Sequence, residues 1–191
     1  MKLPKDFYTR EDVVRIAKEL LGKVLFTSLN GKITAAIITE TEAYAGVKDK
    51  ASHAYGGKRT KRTEVMYSEG GIAYVYLCYG MHHLFNVVTN QKDIPHAVLI
   101  RAVNPFAGIA TILKRRNKKK LDPGICTGPG TVSMGLGIRT NHTGEDLLGN
   151  KIWIEERGIK IVNRNITKSP RIGVNYAGAD ALLPYRFVTK I

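Results

Sequence analysis

At 191 residues the chain is long enough for one domain with a sizeable core, and no shift in composition divides it in two. Lys and Arg number 30 against 16 Asp and Glu, a formal charge of +14 that points to a polyanionic partner, although a ribosomal or membrane-surface protein shares such a charge. No apolar run nears the roughly 18 residues of a membrane span, and the 2 cysteines, Cys78 and Cys126, with no secretory signal at the start, fit a reducing cytoplasm and exclude a disulfide scaffold.

From Thr9, a capping residue and an acidic first turn precede Val13, Val14, Ile16, Ala17, Leu20 and Leu21, an apolar stripe at helical spacing that Gly22 closes. Residues 23–29 and 32–41 read as strands joined by Asn30-Gly31, a strong hairpin signal. Beyond Ile37 and Ile38 the side chains alternate as Thr39, Glu40, Thr41, Glu42, which places both glutamates on one face with Tyr44 next along it. On an open face both are ordinary solvated carboxylates. An aromatic ring two positions on can instead wall a pocket in which one glutamate is partly desolvated and poised as a general base.

Residues 46–66 carry few apolar side chains and read as a long loop, a kind of segment that is commonly functional. His53 lies in it as a solvated side chain or a pocket residue, and Lys58-Arg59-Thr60-Lys61-Arg62 is a solvated cluster or a phosphate contact. Gly70-Gly71 then feeds a strand over 72–79 with Tyr74 and Tyr76 on one face and Ala73, Val75 and Leu77 on the other. Such a strand is either core, with its hydroxyls bonded, or an accessible apolar wall. At its end Gly80 permits a tight turn that leaves Tyr79 and Met81 at the tip, where large apolar groups can wedge apart stacked bases.

Strands follow over 84–89 and 97–103, the second with Arg101 among apolar neighbours, where it needs a partner or a polyanion. Asn104-Pro105 opens a helix through Leu113 that runs into the basic residues 114–120, again a solvated loop or a charge contact. A helix begins near Pro129, and Gly135-Leu136-Gly137 lacks the third glycine of a dinucleotide fingerprint. Residues 151–155 and, more weakly, 159–162 read as strands around the turn Arg157-Gly158, while the glycine–apolar alternation of 171–187 suggests backbone packed against the site. The histidines at 53, 82, 83, 96 and 142 have no metal-ligand spacing, so neither metal nor other cofactor is expected.

Glu40-Thr41-Glu42-Ala43-Tyr44, Ala51-Ser52-His53, Tyr74-Val75-Tyr76, Tyr79-Gly80-Met81, Asn86 and Val98-Leu99-Ile100-Arg101-Ala102 together resemble the alkyladenine (3-methyladenine) DNA glycosylase family, monofunctional enzymes of base-excision repair. The likeness extends through Cys126-Thr127-Gly128-Pro129 and Arg171-Ile172-Gly173-Val174, and so over nearly the whole chain. It implies that Glu42 activates water held with the help of Arg101 and the Ile172 carbonyl; that Tyr44, His53 and Tyr76 line a base pocket with Asn86 at its floor, excluding the guanine amino group; and that Tyr79, beside Met81, enters the duplex in place of the flipped nucleotide. Lys58, Thr60 and Arg62 fall where the family approaches the DNA backbone, with lysine at 58 where the family has arginine, a change that keeps charge and loses the bidentate fork.

The expected fold is α+β, one domain over 1–191, with a curved and mainly antiparallel sheet flanked by helices and a protruding β-hairpin. The expected partner is double-stranded DNA containing damaged purines, bound by a monomer. A non-catalytic nucleic-acid binder with a tyrosine stacking platform is the competing class. A lyase step would need a lysine in an apolar setting, and none stands near Glu42.

Overall fold

The structure, a computed structural model, describes residues 1–191. Its sheet is built on a long strand, β2. In chain order the elements are α1 (Lys5–Tyr8), α2 (Val13–Glu19), β1 (Val24–Leu29), β2 (Lys32–Tyr44), β3 (Ala73–Cys78), β4 (His82–Thr89), β5 (His96–Ala107), α3 (Ile109–Arg115), α4 (Pro129–Leu136), β6 (Ile152–Glu155), β7 (Ile166–Ser169) and β8 (Arg186–Thr189). The strands are ordered β3-β4-β5-β2-β1-β6, with β8 beside β2 and β7 beside β8, and every pairing is antiparallel. This is the expected α+β domain with a curled antiparallel sheet and helices against it.

The first half of β2 pairs with β1 through a hairpin whose Asn30 and Gly31 both have positive φ, as that dipeptide demands. Its second half pairs with β8, while β5 runs along the opposite edge. Glu40 and Glu42 therefore lie mid-sheet. Ile16, Ala17 and Leu20 of α2 and Val132 and Leu136 of α4 pack with Ala36, Ile38 and Ala43 of β2 and Val98 and Ile100 of β5, forming the main core on one face. Loop residues Ala54, Met66 and Tyr67 pack on Tyr74, Val88 and Ala97 in a smaller cluster.

Several boundaries differ from the sequence reading. The cap of α2 is Asp12, whose carboxylate accepts the Arg15 N–H at 2.9 Å, and Thr9 instead ends the short α1. β2 runs to Tyr44 and not 41, because β8 and β5 hold its end from both sides. Asn104-Pro105 does not open a helix. Both stay in β5, where the irregular pairing opposite Ala35 and Ala36 accommodates a residue without an N–H. The helix starts after Gly108, whose φ of +69° and tight approach to the Ile33 carbonyl leave no room for a side chain. Residues 159–162 form no strand. Ile166–Ser169 forms one instead, since β8 supplies it with a partner edge. No helix is long and apolar enough to cross a membrane.

Candidate active site

The residues singled out by the sequence converge because of strand register. Tyr74 pairs with Asn86, Asn86 with Leu99, Leu99 with Glu42 and Glu42 with Arg186, a single row across β3, β4, β5, β2 and β8. Residues in register share a face of a sheet. Tyr74, Asn86 and Leu99 line a cavity of about 260 Å³ together with Tyr44, His53, Tyr76, Arg101 and Ile172. Glu42 is 0 % exposed and sits directly behind the wall that Tyr44, Arg101 and Ile172 make.

The glutamates reach this face through a pair of bulges. Ala35 and Ile37 pack on Val24, Phe26 and Trp153, whereas Ala36 and Ile38 enter the main core. Strict alternation would send Glu40, Glu42 and Tyr44 into the core too. Pairing instead steps from Ile38–Val103 to Glu40–Ala102 and then to Thr41–Ile100, so Thr39 is extra on β2 and Arg101 is extra on β5. The first bulge inverts the phase of β2: Thr41 now faces α2, where its hydroxyl donates to the Ala17 carbonyl at 2.7 Å, and the glutamates face the site. The second re-aims Arg101 toward them.

Arg101 Nε donates to Glu40 Oε1 at 2.8 Å and lies 3.4 Å from Glu42 Oε1, while Arg186 Nε donates to the same Glu40 oxygen at 2.6 Å. Glu40 is thus a bridge between two arginines. Glu42 accepts the Ile172 N–H at 2.7 Å on Oε1 and the Tyr44 hydroxyl at 2.8 Å on Oε2. Ile172 thus meets the glutamate through its amide N–H. Burial pushes the Glu42 carboxyl above its ordinary value, against the opposing pull of Arg101, Ile172 and Tyr44. Burial and the Glu42 charge hold the Tyr44 hydroxyl far above its usual range, so it stays a donor.

His53 Nδ1 lies 2.8 Å from the Tyr74 hydroxyl, and its ring stands edge-on to Tyr76 with centroids 4.7 Å apart. Burial, with Arg62 adding to it, depresses His53 to about 4, so the ring is neutral near pH 7. A hydroxyl that donates to Nδ1 leaves the ring proton on Nε2. The Asn86 amide donates to the Tyr74 and Leu84 carbonyls at 3.1 and 3.3 Å, which pins it as a fixed part of the cavity wall.

Tyr79 and Met81 stand outside the cavity proper, at the tip of the β3–β4 hairpin, 89 % and 68 % exposed. Tyr79 and Gly80 both have positive φ, and the Met81 N–H donates to the Cys78 carbonyl, closing a two-residue turn. Tyr79 holds a left-handed conformation that a bulky residue adopts only at a cost. In the 58–62 run, Lys58 and Arg62 point into solvent without a carboxylate partner. Arg59 is spent on Glu64 and Asp93, and the Thr60 hydroxyl on Thr63. His82 packs on Gly130 of α4, and His83 accepts the Thr140 N–H.

Sequence reasoning passed over Tyr176 and Asp49, and it gave Arg171, quoted within a family motif, and Tyr74 no site role. Tyr74 shares the alternation of Tyr76, a signal that was present. Tyr176, at the cavity mouth with its hydroxyl on the Ala51 carbonyl, carried none.

Residues 6–191 match the family described as methylpurine-DNA glycosylase. A Chlamydia felis protein named "Putative 3-methyladenine DNA glycosylase" is 46% identical over 190 residues, covering 99% of this chain and 96% of its own. The like-named proteins of Desulfitobacterium hafniense, 42% identical over 193 residues, and Clostridium perfringens, 41% identical over 198 residues, cover 97% and 100% of this chain and 94% and 96% of their own. With a match of this extent over a site whose tyrosines and arginine line one cavity with Glu42 directly behind them, the chain belongs to the methylpurine-DNA glycosylase family.

Proposed function

We propose that this DNA repair glycosylase turns a damaged purine out of the duplex into the 260 Å³ cavity and hydrolyses its bond to deoxyribose, leaving an abasic site. The observation that carries this reading is Glu42, a fully buried carboxylate directly behind the wall of a tyrosine-lined cavity with one strong donor on each oxygen. Each carboxylate oxygen accepts about two hydrogen bonds. The Arg101 contacts, at 3.4 and 3.5 Å, are long enough to leave Glu42 capacity for a water. Glu42 takes a proton from that water as its oxygen bonds to C1′. The glycosidic electron pair leaves with the purine.

Pockets for drug-sized ligands run about 300–1,000 Å³, so a cavity just below that range suits one base. Tyr44 and Tyr76 offer π faces, which attract a cationic alkylated purine more than a neutral base. Asn86, fixed by its own amide bonds, restricts the purine edge it meets, and His53 offers a neutral N–H to the base. No lysine lines the cavity, in keeping with hydrolysis without a lyase step. The enzyme works as a monomer on duplex DNA in the cytoplasm. Duplexes carrying 3-methyladenine, 7-methylguanine, hypoxanthine or ethenoadenine test the reading: free base is released from at least one. Retarded duplex with no base released would identify a binder.

Lys58 and Arg62 approach the backbone. Reversing both to Glu weakens damaged and undamaged duplex alike and flattens the salt dependence, because phosphate contacts carry no base information. Titrations across salt concentrations check this, and a loss confined to damaged duplex would count against it. The melting temperature changes little, since neither side chain has a partner to lose.

A further inference from the structure

Behind the cavity lies an ion pair whose two side chains do not line it. The Arg171 side chain is 0 % exposed and that of its partner Asp49 2 %, and the guanidinium fork meets both carboxylate oxygens. Arg171 also donates to the Ala43 carbonyl at 2.9 Å and the Asp180 carbonyl at 3.1 Å, with its guanidinium over the rings of Tyr44, at 4.8 Å, and Tyr185, at 5.3 Å. Asp49 accepts the Ala45 and Ala51 N–H groups at 2.9 and 3.0 Å. The end of β2, the start of the loop that carries His53 and the segment after β7 are thereby tied at one point. Arg171 Nε is left buried without a partner. The guanidinium is oriented to serve these neighbours at the expense of its own satisfaction.

We propose that Arg171, held by Asp49, is a positioning residue for the proposed reaction, setting the Ile172 N–H against Glu42 and the Tyr44 ring and hydroxyl against the site. The geometry allows little else. Ile172 follows Arg171 directly, and its N–H is the closest donor to Glu42, at 2.7 Å. Tyr44, the next closest at 2.8 Å, lies under the guanidinium. Both donors to the general base therefore depend on one buried side chain, and a lysine could keep the charge but not the fork that spans Ala43, Asp49 and Asp180.

The inference rests on Glu42 acting as the base, and the test separates the two. Arg171→Lys and the double variant Arg171→Met with Asp49→Leu are compared with the parent in single-turnover excision as a function of pH, together with lesion-duplex affinity and thermal melting. The double variant removes both charges at once, which buried pairs commonly tolerate. The groups facing Glu42 are Tyr44 and Glu40 on β2, Arg101 on β5, Tyr76 on β3, and Arg171 and Tyr176 on the C-terminal segment, and of these only Arg171 is altered. With the Ile172 N–H displaced, the carboxylate is less stabilised, so the acidic limb of the profile moves to higher pH and the rate falls about tenfold or more. Duplex affinity stays within about twofold. A rate that falls only with the folded fraction, its pH limb in place, overturns the positioning role. If the parent releases no base, or Glu42→Gln stays active, the general-base reading fails instead.

Discussion

Glu42→Gln lowers single-turnover excision by about 100- to 10,000-fold, the range over which a positioned general base contributes, while lesion-duplex affinity changes little. Glutamine keeps the shape that Tyr44 and Ile172 meet and cannot accept the proton of water. Full activity in this variant would sink the assignment. Glu40→Gln is milder, since Glu40 holds Arg101 and Arg186 and does not face the cavity chemistry itself.

The same residue sets the pH dependence. With Glu42 as the proposed base, excision requires its ionised form, and burial raises its folded value above the ordinary 4.5, so activity is lost as pH falls through a limb lying above the usual glutamate range. Arg101→Met removes a charge that favours the ionised form and shifts that limb further upward. The stability sign runs opposite to that of a salt-bridged acid. A carboxyl whose folded value is raised stabilises the fold below its unfolded value and loses that contribution as pH rises through the folded one. At neutral pH ionised Glu42 thus costs stability, and Glu42→Gln melts no lower than the parent. A melting curve near neutral pH checks this, and a clear fall would show that the charge is compensated more fully than its burial implies.

Tyr79→Ser lowers excision from paired duplex by an amount comparable to the few kcal/mol that unstacking a base costs, because nothing then fills the gap left by the extruded nucleotide. The side chain is almost wholly exposed at a closed two-residue turn, so its removal takes little from the fold. For a lesion in a weakly paired context the loss shrinks, since little needs holding open. Tyr44 and Tyr76 variants lose activity in both contexts, because each lines the cavity. Equal losses for Tyr79→Ser on paired and unpaired lesions would make it another pocket or core residue.

Much of the site was legible before any coordinates. The Asn30-Gly31 and Tyr79-Gly80 turns, the alternation of Tyr74 with Tyr76 and the pairing of Glu40 with Glu42 are local properties, fixed by backbone conformation and a period of two. The family likeness then singled out residues of which Tyr44, His53, Tyr76, Asn86, Arg101 and Ile172 line one cavity. Boundaries fared worse where partners far along the chain decide them. Pro105 stays in a strand because the facing pairing is irregular, and 166–169 becomes a strand because β8 lies beside it.

What the sequence determined alone is the inventory: one basic domain, a glutamate and tyrosine set in the right order, and an exposed hairpin tip. Which way those side chains face was decided only in three dimensions. The bulge at Thr39 inverts the alternation of β2 and delivers Glu40, Glu42 and Tyr44 to the cavity face, and the bulge at Arg101 turns that cation onto them. A bulge is an unpaired residue between two strands, so its position depends on register across residues about 60 apart in the chain. The clasp of Arg171 on Asp49, 122 residues apart, depends in the same way on how distant segments close over the sheet, which no local pattern encodes.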